Sequence, residues 1–335
     1  MKFLRSIMLT AIFLVSTLTT AFAHKVHMKI ATDSGSKGSP TAAAIDLWAR
    51  LITDKTAGTD DEITFDVFYQ DELGNQSELF DLFVDGSVDM TLNWPKTSYD
   101  KRLGLRNMPY MFSNWEQAFE AYRPGGWLAD IYVDIYQDLG LKFFDAWPEG
   151  FGGVATRGRY ATTIAAAKGL KVRVPSNFPN PQTLQAMGYQ PYAIDWSEVF
   201  TSIQTGVVDG EAGNVIYWDY EYFRDVLDYY VRTKHVFPTG VLAMNEKSWE
   251  ALNQAQQKIV SEAALEVMKK QFSDARTFDR SYVDKAIASG IKYIEPTQDE
   301  IRALARAVRK SVWPLMKDQI GTEIVERVKS HAPSL

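Results

Sequence analysis

The segment from Lys168 to Asn214 constrains this chain more than any other, because it reads as strand, helix, strand, helix and loop in immediate succession. Its first strand alternates Leu170, Val172 and Val174 with polar residues and stops at Pro175. One arginine, Arg173, stands inside that strand. A guanidinium among strand valines must reach solvent or find an anion, since burying it unpaired costs several kcal/mol. Strand spacing alone leaves an edge-strand arginine, a structural ion pair and a ligand anchor all open.

The same alternation of strands and helices runs through the rest of the chain. His24–Ala31 reads as a first strand, and Ser39-Pro40 as the N-cap and first-turn proline of a helix carrying Ile45, Leu47, Trp48 and Leu51. Glu62–Tyr69 reads as a second strand, Ser77–Val84 as a helix and Val88–Trp94 as a third strand. Such alternation predicts parallel-type α/β sheets with helices on both faces. A second α/β unit is expected to begin near Leu141–Trp147. Val241–Ser289 contains neither glycine nor proline and carries a helical stripe through Ile259, Val260, Ala263, Val267 and Phe272. Either one long helix crossing between two lobes or two ordinary helices with a kink would satisfy it. Thr297 and Glu300 form a capping box for a final helix. No internal repeat or low-complexity tract interrupts the pattern, and the length suits two domains.

The amino terminus speaks to compartment. Lys2 and Arg5 precede an apolar run from Ile7 to Leu18 that ends in Ala21-Phe22-Ala23. That is the form of a secretory signal peptide, too short for a membrane span of about 20 residues. Cleavage is expected after Ala23, giving a mature chain that starts at His24. The chain has no cysteine, so disulfide and thiolate chemistry are excluded. Its size allows a core that stands without staples. Removing Lys2 and Arg5 leaves 34 basic residues against 42 acidic ones, a net charge of −8. A nucleic-acid partner would need a basic stripe, which this balance argues against. Aromatic residues make up 13 %, with nine tryptophans, enough to supply both a core and a binding pocket.

No catalytic constellation assembles. G-x-S-x-G, G-x-x-x-x-G-K, G-x-G-x-x-G and H-E-x-x-H are all missing. His24 and His27 offer nitrogen donors of the kind that chelate copper, but two polar residues on a first strand explain them as well. No enzyme activity, metal or cofactor is expected.

Two stretches, Gly169–Pro175 (Gly-Leu-Lys-x-Arg-x-Pro) and Ser197–Gly210 (Ser-Glu-Val to Val-Val-Asp-Gly), resemble the solute-binding proteins of TRAP (tripartite ATP-independent periplasmic) transporters. Lys55-Thr56 with Gly58, Leu73-Gly74, Gly86–Met90 and Trp249–Leu252 extend the likeness in the right order. The resemblance implies a periplasmic binding-protein fold: two α/β lobes with a hinge and a long connecting helix. The expected lobes are residues 24–147 with 237–275, and 148–236 with 276–335. It implies capture of a small organic anion, most simply a carboxylate, by cleft closure in the periplasm. Delivery would be to a small and a large membrane permease subunit. A sulfonate or a betaine- or ectoine-like zwitterion is the alternative ligand, and a ligand-sensing receptor module the alternative role.

The resemblance also assigns residues. It implies that Arg173 anchors the carboxylate, which its two-pronged donor geometry suits, and acts as a ligand group, not a core support. Trp196 falls where family members place a ring. Asn214 lies one position beyond the family's asparagine, which aligns with Gly213. A further family arginine is replaced by Gly152, with Arg157 as a candidate substitute. Strand and loop ends add Asp33, Trp94, Tyr217 and Trp218, because ligands meet α/β sheets there.

Overall fold

The structure, a computed structural model, describes residues His24 to Ser334; the expected leader lies outside the described residues. Eleven strands follow in order: β1 (Val26–Thr32), β2 (Ile63–Phe68), β3 (Met90–Asn93), β4 (Leu141–Pro148), β5 (Val154–Thr156), β6 (Lys171–Val174), β7 (Gln190–Ala193), β8 (Gly210–Ala212), β9 (Tyr229–Val231), β10 (Thr239–Asn245) and β11 (Lys292–Ile294). They form two sheets, ordered β2-β1-β3-β10-β4 and β11-β9-β5-β8-β6-β7.

Each sheet begins as the sequence predicts, with three parallel strands. Neither stays parallel. β10 runs antiparallel between β3 and β4, and β5 runs antiparallel between β8 and β9. The chain leaves the first sheet through β4 and re-enters it through β10, so each sheet receives one strand from a crossover. β4, expected to open the second unit, is an edge of the first sheet.

The helices show why these residues fold where they do. Ser39 caps the helix Pro40–Thr56 by accepting from the Ala42 N–H, and Pro40 occupies the first turn, where no N–H is needed. Asn75 and Glu78 form a reciprocal capping box for Gln76–Asp85. The long helical reading resolves into one continuous helix, Gln254–Ala288, which spans about 50 Å at 1.5 Å per residue. Its Val260, Ala263 and Val267 lie in the core of the first sheet with Trp48, whereas Tyr282, Val283 and Ala286 lie in the core of the second.

The C-terminal region differs from expectation. The capping box at Thr297 and Glu300 opens the helix Gln298–Ile320, but a second helix, Thr322–His331, follows Gly321. Leu304, Ala305 and Val308 pack on the second sheet, while Trp313, Met316, Val325 and Val328 join the first lobe's helices Trp115–Tyr122 and Trp127–Asp138. An apolar stripe long enough to continue past one lobe buries its remainder against the other. Two helices therefore bridge the lobes. Among the described residues, no helix is long and apolar enough to cross a membrane.

Candidate functional site

The carboxyl ends of strands from both sheets converge on one cavity of about 120 Å³. Ser34 enters it after β1, Trp94 and Lys96 after β3, and Glu149 after β4. From the other lobe come Asp195 and Trp196 after β7, and Gly213 and Asn214 after β8. Arg173 reaches it from within β6, and Arg106 from the 3-10 turn Lys101–Asn107.

Arg173 is only 5 % exposed, so it is neither an edge-strand nor a surface residue. Its Nε donates to the Ile194 carbonyl at 2.9 Å, which fixes the guanidinium. Its Nη1 stands 3.7 Å from Glu211 Oε2, an ion pair too long to be a hydrogen bond. The terminal nitrogens thus keep donors for a ligand. The Trp196 ring lies 5.6 Å from the guanidinium carbon, within cation–π range.

Behind Arg173 sit two buried acids, Glu211 and Asp219. Burial raises both carboxyls, and the Glu211 charge lifts Asp219 further, well above the ordinary range. Two acids sharing one buried site disfavour a second negative charge, and the charge of the pair faces Arg173. Asn214 Nδ2 donates to Asp219 Oδ1 at 3.1 Å, so this residue both lines the cavity and braces the acid behind it. Arg173 is also a support of this buried cluster, contrary to its expected role as a ligand group alone.

The opposite wall was not legible from the family pattern. Arg106 is 8 % exposed, its Nη1 is 3.5 Å from the Thr239 carbonyl, and its Nε has no partner among the described residues. Asn107 Nδ2 is also unpartnered, and the half-buried Lys96 holds Gln76 Oε1 at 2.8 Å. Burial lowers the pKa of Arg106 and of Lys96. Glu149, half-buried at this wall, is pushed up to about 7 by desolvation, against the pull of Trp218, Arg106 and Trp94. The strand-end rule that selects Trp94 points equally to Glu149, two residues past Trp147. Arg106 has no such signal.

The remaining sequence candidates divide. Trp94 and Trp218 line the cavity. Asp33 stands behind it: its Oδ2 accepts from the Trp94 N–H at 3.1 Å, its Oδ1 accepts from the Ser34 hydroxyl, and burial raises it to about 6. Tyr217 lines a neighbouring chamber with Trp147 and Tyr282. Arg157 lies elsewhere, donating to the Gln204 carbonyl beside Arg224 and Asp228, so the structure does not bring it to Arg173. Packing explains why a glycine stands at 152. A Cβ there would meet the Gly213 carbonyl at 2.8 Å and Val236 at 2.9 Å, and one at Gly153 would meet the Tyr230 ring at 2.5 Å. No arginine fits at residue 152 on this backbone; the cavity's second guanidinium comes from Arg106.

A two-lobed α/β fold with convergent strand ends and a buried arginine between the lobes defines a solute-binding protein. The model of bacterial extracellular solute-binding protein family 7 (DctP) matches residues 31–319, and the chain belongs to that family. A solute-binding protein of Roseobacter denitrificans is 27 % identical over 297 residues, covering 86 % of this chain and 85 % of its own. Two solved structures share the fold. The TRAP periplasmic solute-binding protein of Desulfovibrio salexigens with bound orotic acid has a TM-score of 0.82 at 20 % identity, covering 91 % of this chain and 98 % of its own. The periplasmic ectoine-binding protein of Halomonas elongata has a TM-score of 0.83 at 18 % identity, covering 92 % and 99 %.

Proposed function

We propose that this chain is the periplasmic receptor of a TRAP transporter, capturing a small carboxylate between its lobes for a two-subunit membrane permease. The observation that carries this reading is Arg173: buried, fixed through Nε, and left with terminal donors at an interlobe cavity. Arg106 and Asn107 add donors from the opposite lobe, so a carboxylate bound by both walls favours the closed state over the open one. Closure gives the permease a shape to recognise, and the site needs no catalytic group.

A cavity of about 120 Å³, below the roughly 300 Å³ at which drug-sized pockets begin, suits the head of a small acid better than a large dianion. The orotic acid bound by the Desulfovibrio protein supports a carboxylate over a sulfonate. A thermal-shift panel of monocarboxylates, dicarboxylates and matched sulfonates on the mature protein tests the reading. Stabilisation by monocarboxylates first is expected, and a response to sulfonates alone would overturn it.

A further inference from the structure

Two acids meet behind the guanidinium of Arg173. β8 carries Glu211, 0 % exposed, and the helix Ile216–Phe223 carries Asp219, 1 % exposed. Their carboxyls stand within hydrogen-bond reach of each other, which requires a proton between them. Apart from that proton, three of the pair's four oxygens have no donor of ordinary hydrogen-bond geometry among the described residues. The fourth, Asp219 Oδ1, accepts from Asn214. A purely structural salt bridge would have its oxygens occupied; these are left open.

The surroundings leave the pair one close cation. Arg173 Nη1 approaches Glu211 Oε2 at 3.7 Å. On the β9 side the Tyr230 hydroxyl donates to the Asn214 carbonyl at 3.1 Å, and beyond it Arg232 is spent on Asp279 at 2.7 Å. Asp195, exposed after β7, acts on Arg173 through space. Lys96, Arg106 and Glu149 stand across the cavity, with Asp33 behind that wall. Holding one shared proton, the pair carries one negative charge and balances Arg173. A ligand carboxylate on the same guanidinium adds a second negative charge. A second proton, taken from solvent onto the pair, removes the excess.

We propose that Glu211 and Asp219 form a proton-binding site behind Arg173, so that this protein captures a carboxylate and a proton together. This rests on reading the Arg173 cavity as the carboxylate site. Asn214 joins the two sites, since it lines the cavity and holds Asp219. Ligand binding raises the proton affinity of the pair, so carboxylate affinity is greatest at low pH and declines as pH rises.

Formate, lactate and pyruvate serve as probes, because all three stay ionised between pH 6.0 and 8.5. Calorimetric titration at those two pH values, in one cationic buffer that does not compete for arginine, should show the tightest of them binding wild type at least about fivefold better at pH 6.0. In Glu211→Gln the competing charge is gone. The ratio should fall below about twofold, with affinity at pH 8.5 close to that of wild type at pH 6.0. Asp219→Asn leaves a lone Glu211 ionised against Arg173, so its ratio should also fall below about twofold, but at weaker affinity. Should thermal melting show that one variant does not fold, the other decides. A ratio that survives in the variants overturns the proposal, and its loss in Glu149→Gln alone would put the proton on the opposite wall and overturn it too. If the acids bind wild type equally at both pH values, the proton site is refuted and the Arg173 reading stands. If none of the three binds at either pH, the carboxylate reading falls and the proposal falls with it.

Discussion

β1 in the first lobe and β6 in the second occupy matching places, each flanked by two parallel partners and each leading a buried charge to the cleft. Both charges also do the same structural task. Asp33, just past β1, accepts from the backbone of Trp94 beyond β3, and Arg173 in β6 donates to the backbone of Ile194 beyond β7. They differ in what is left over. Asp33 spends both oxygens on Trp94 and Ser34 and sits behind the wall, whereas Arg173 spends Nε and keeps its terminal nitrogens at the cavity. A charge at a strand end becomes a binding group when its bonding capacity exceeds what the fold consumes.

The largest expected break in that comparison is Arg173→Ala. Removing one partner of a buried ion pair costs about 3–5 kcal/mol, so carboxylate affinity measured by calorimetry should fall by roughly two to three and a half orders of magnitude. Because Glu211 loses its counter-charge, the melting temperature should fall as well. Arg173→Lys should restore more of the stability than of the affinity, since it keeps charge and loses the fork. Unchanged affinity in both variants would place the anion elsewhere.

Asp33→Asn should act on stability and pH. The carboxyl rises from an ordinary 3.8 to about 6 on folding, so the native state binds the proton more tightly than the unfolded chain. Stability from this group is therefore full below about pH 4 and declines as pH rises through 6, by up to about 3 kcal/mol at 1.36 kcal/mol per unit. The asparagine can still accept from the Trp94 N–H and carries no charge. Urea melts at pH 4.5 and 7.5 should show a shallower pH slope for the variant than for wild type. Identical slopes would mean that Asp33 is not the strained acid described.

Arg106→Gln should come third. A hydrogen bond to a charged group contributes about 1.5–3 kcal/mol, so carboxylate affinity should weaken by roughly one to two orders of magnitude. An effect as large as that of Arg173→Ala would make the two walls equal partners.

These contrasts also explain what could be read in advance. Ser39-Pro40 and Thr297 with Glu300 announce their helices because a cap satisfies backbone groups locally, and Arg173 stands out because strand alternation is local too. Strand direction is not local. β4 and β10 have the same period whichever way they run, so their antiparallel pairing was invisible, although the resemblance had already grouped residues 24–147 with 237–275. Arg106 shares its glycine-containing turn with Arg102, yet Arg102 is spent on Asp100 and Asp138 at the surface. Nothing in the sequence separates the two. Tyr217 and Trp218 are neighbours on one helix and so point about 100° apart, which puts Tyr217 in one chamber and leaves Trp218 between two.

The most direct test of the account is a crystal structure of the protein with the tightest-binding monocarboxylate from the thermal-shift panel. The prediction is a carboxylate in the cavity between the lobes, both oxygens within hydrogen-bond distance of the Arg173 terminal nitrogens, and Arg173 Nε still on the Ile194 carbonyl. A carboxylate bound away from Arg173, with that guanidinium paired only to Glu211, would contradict it.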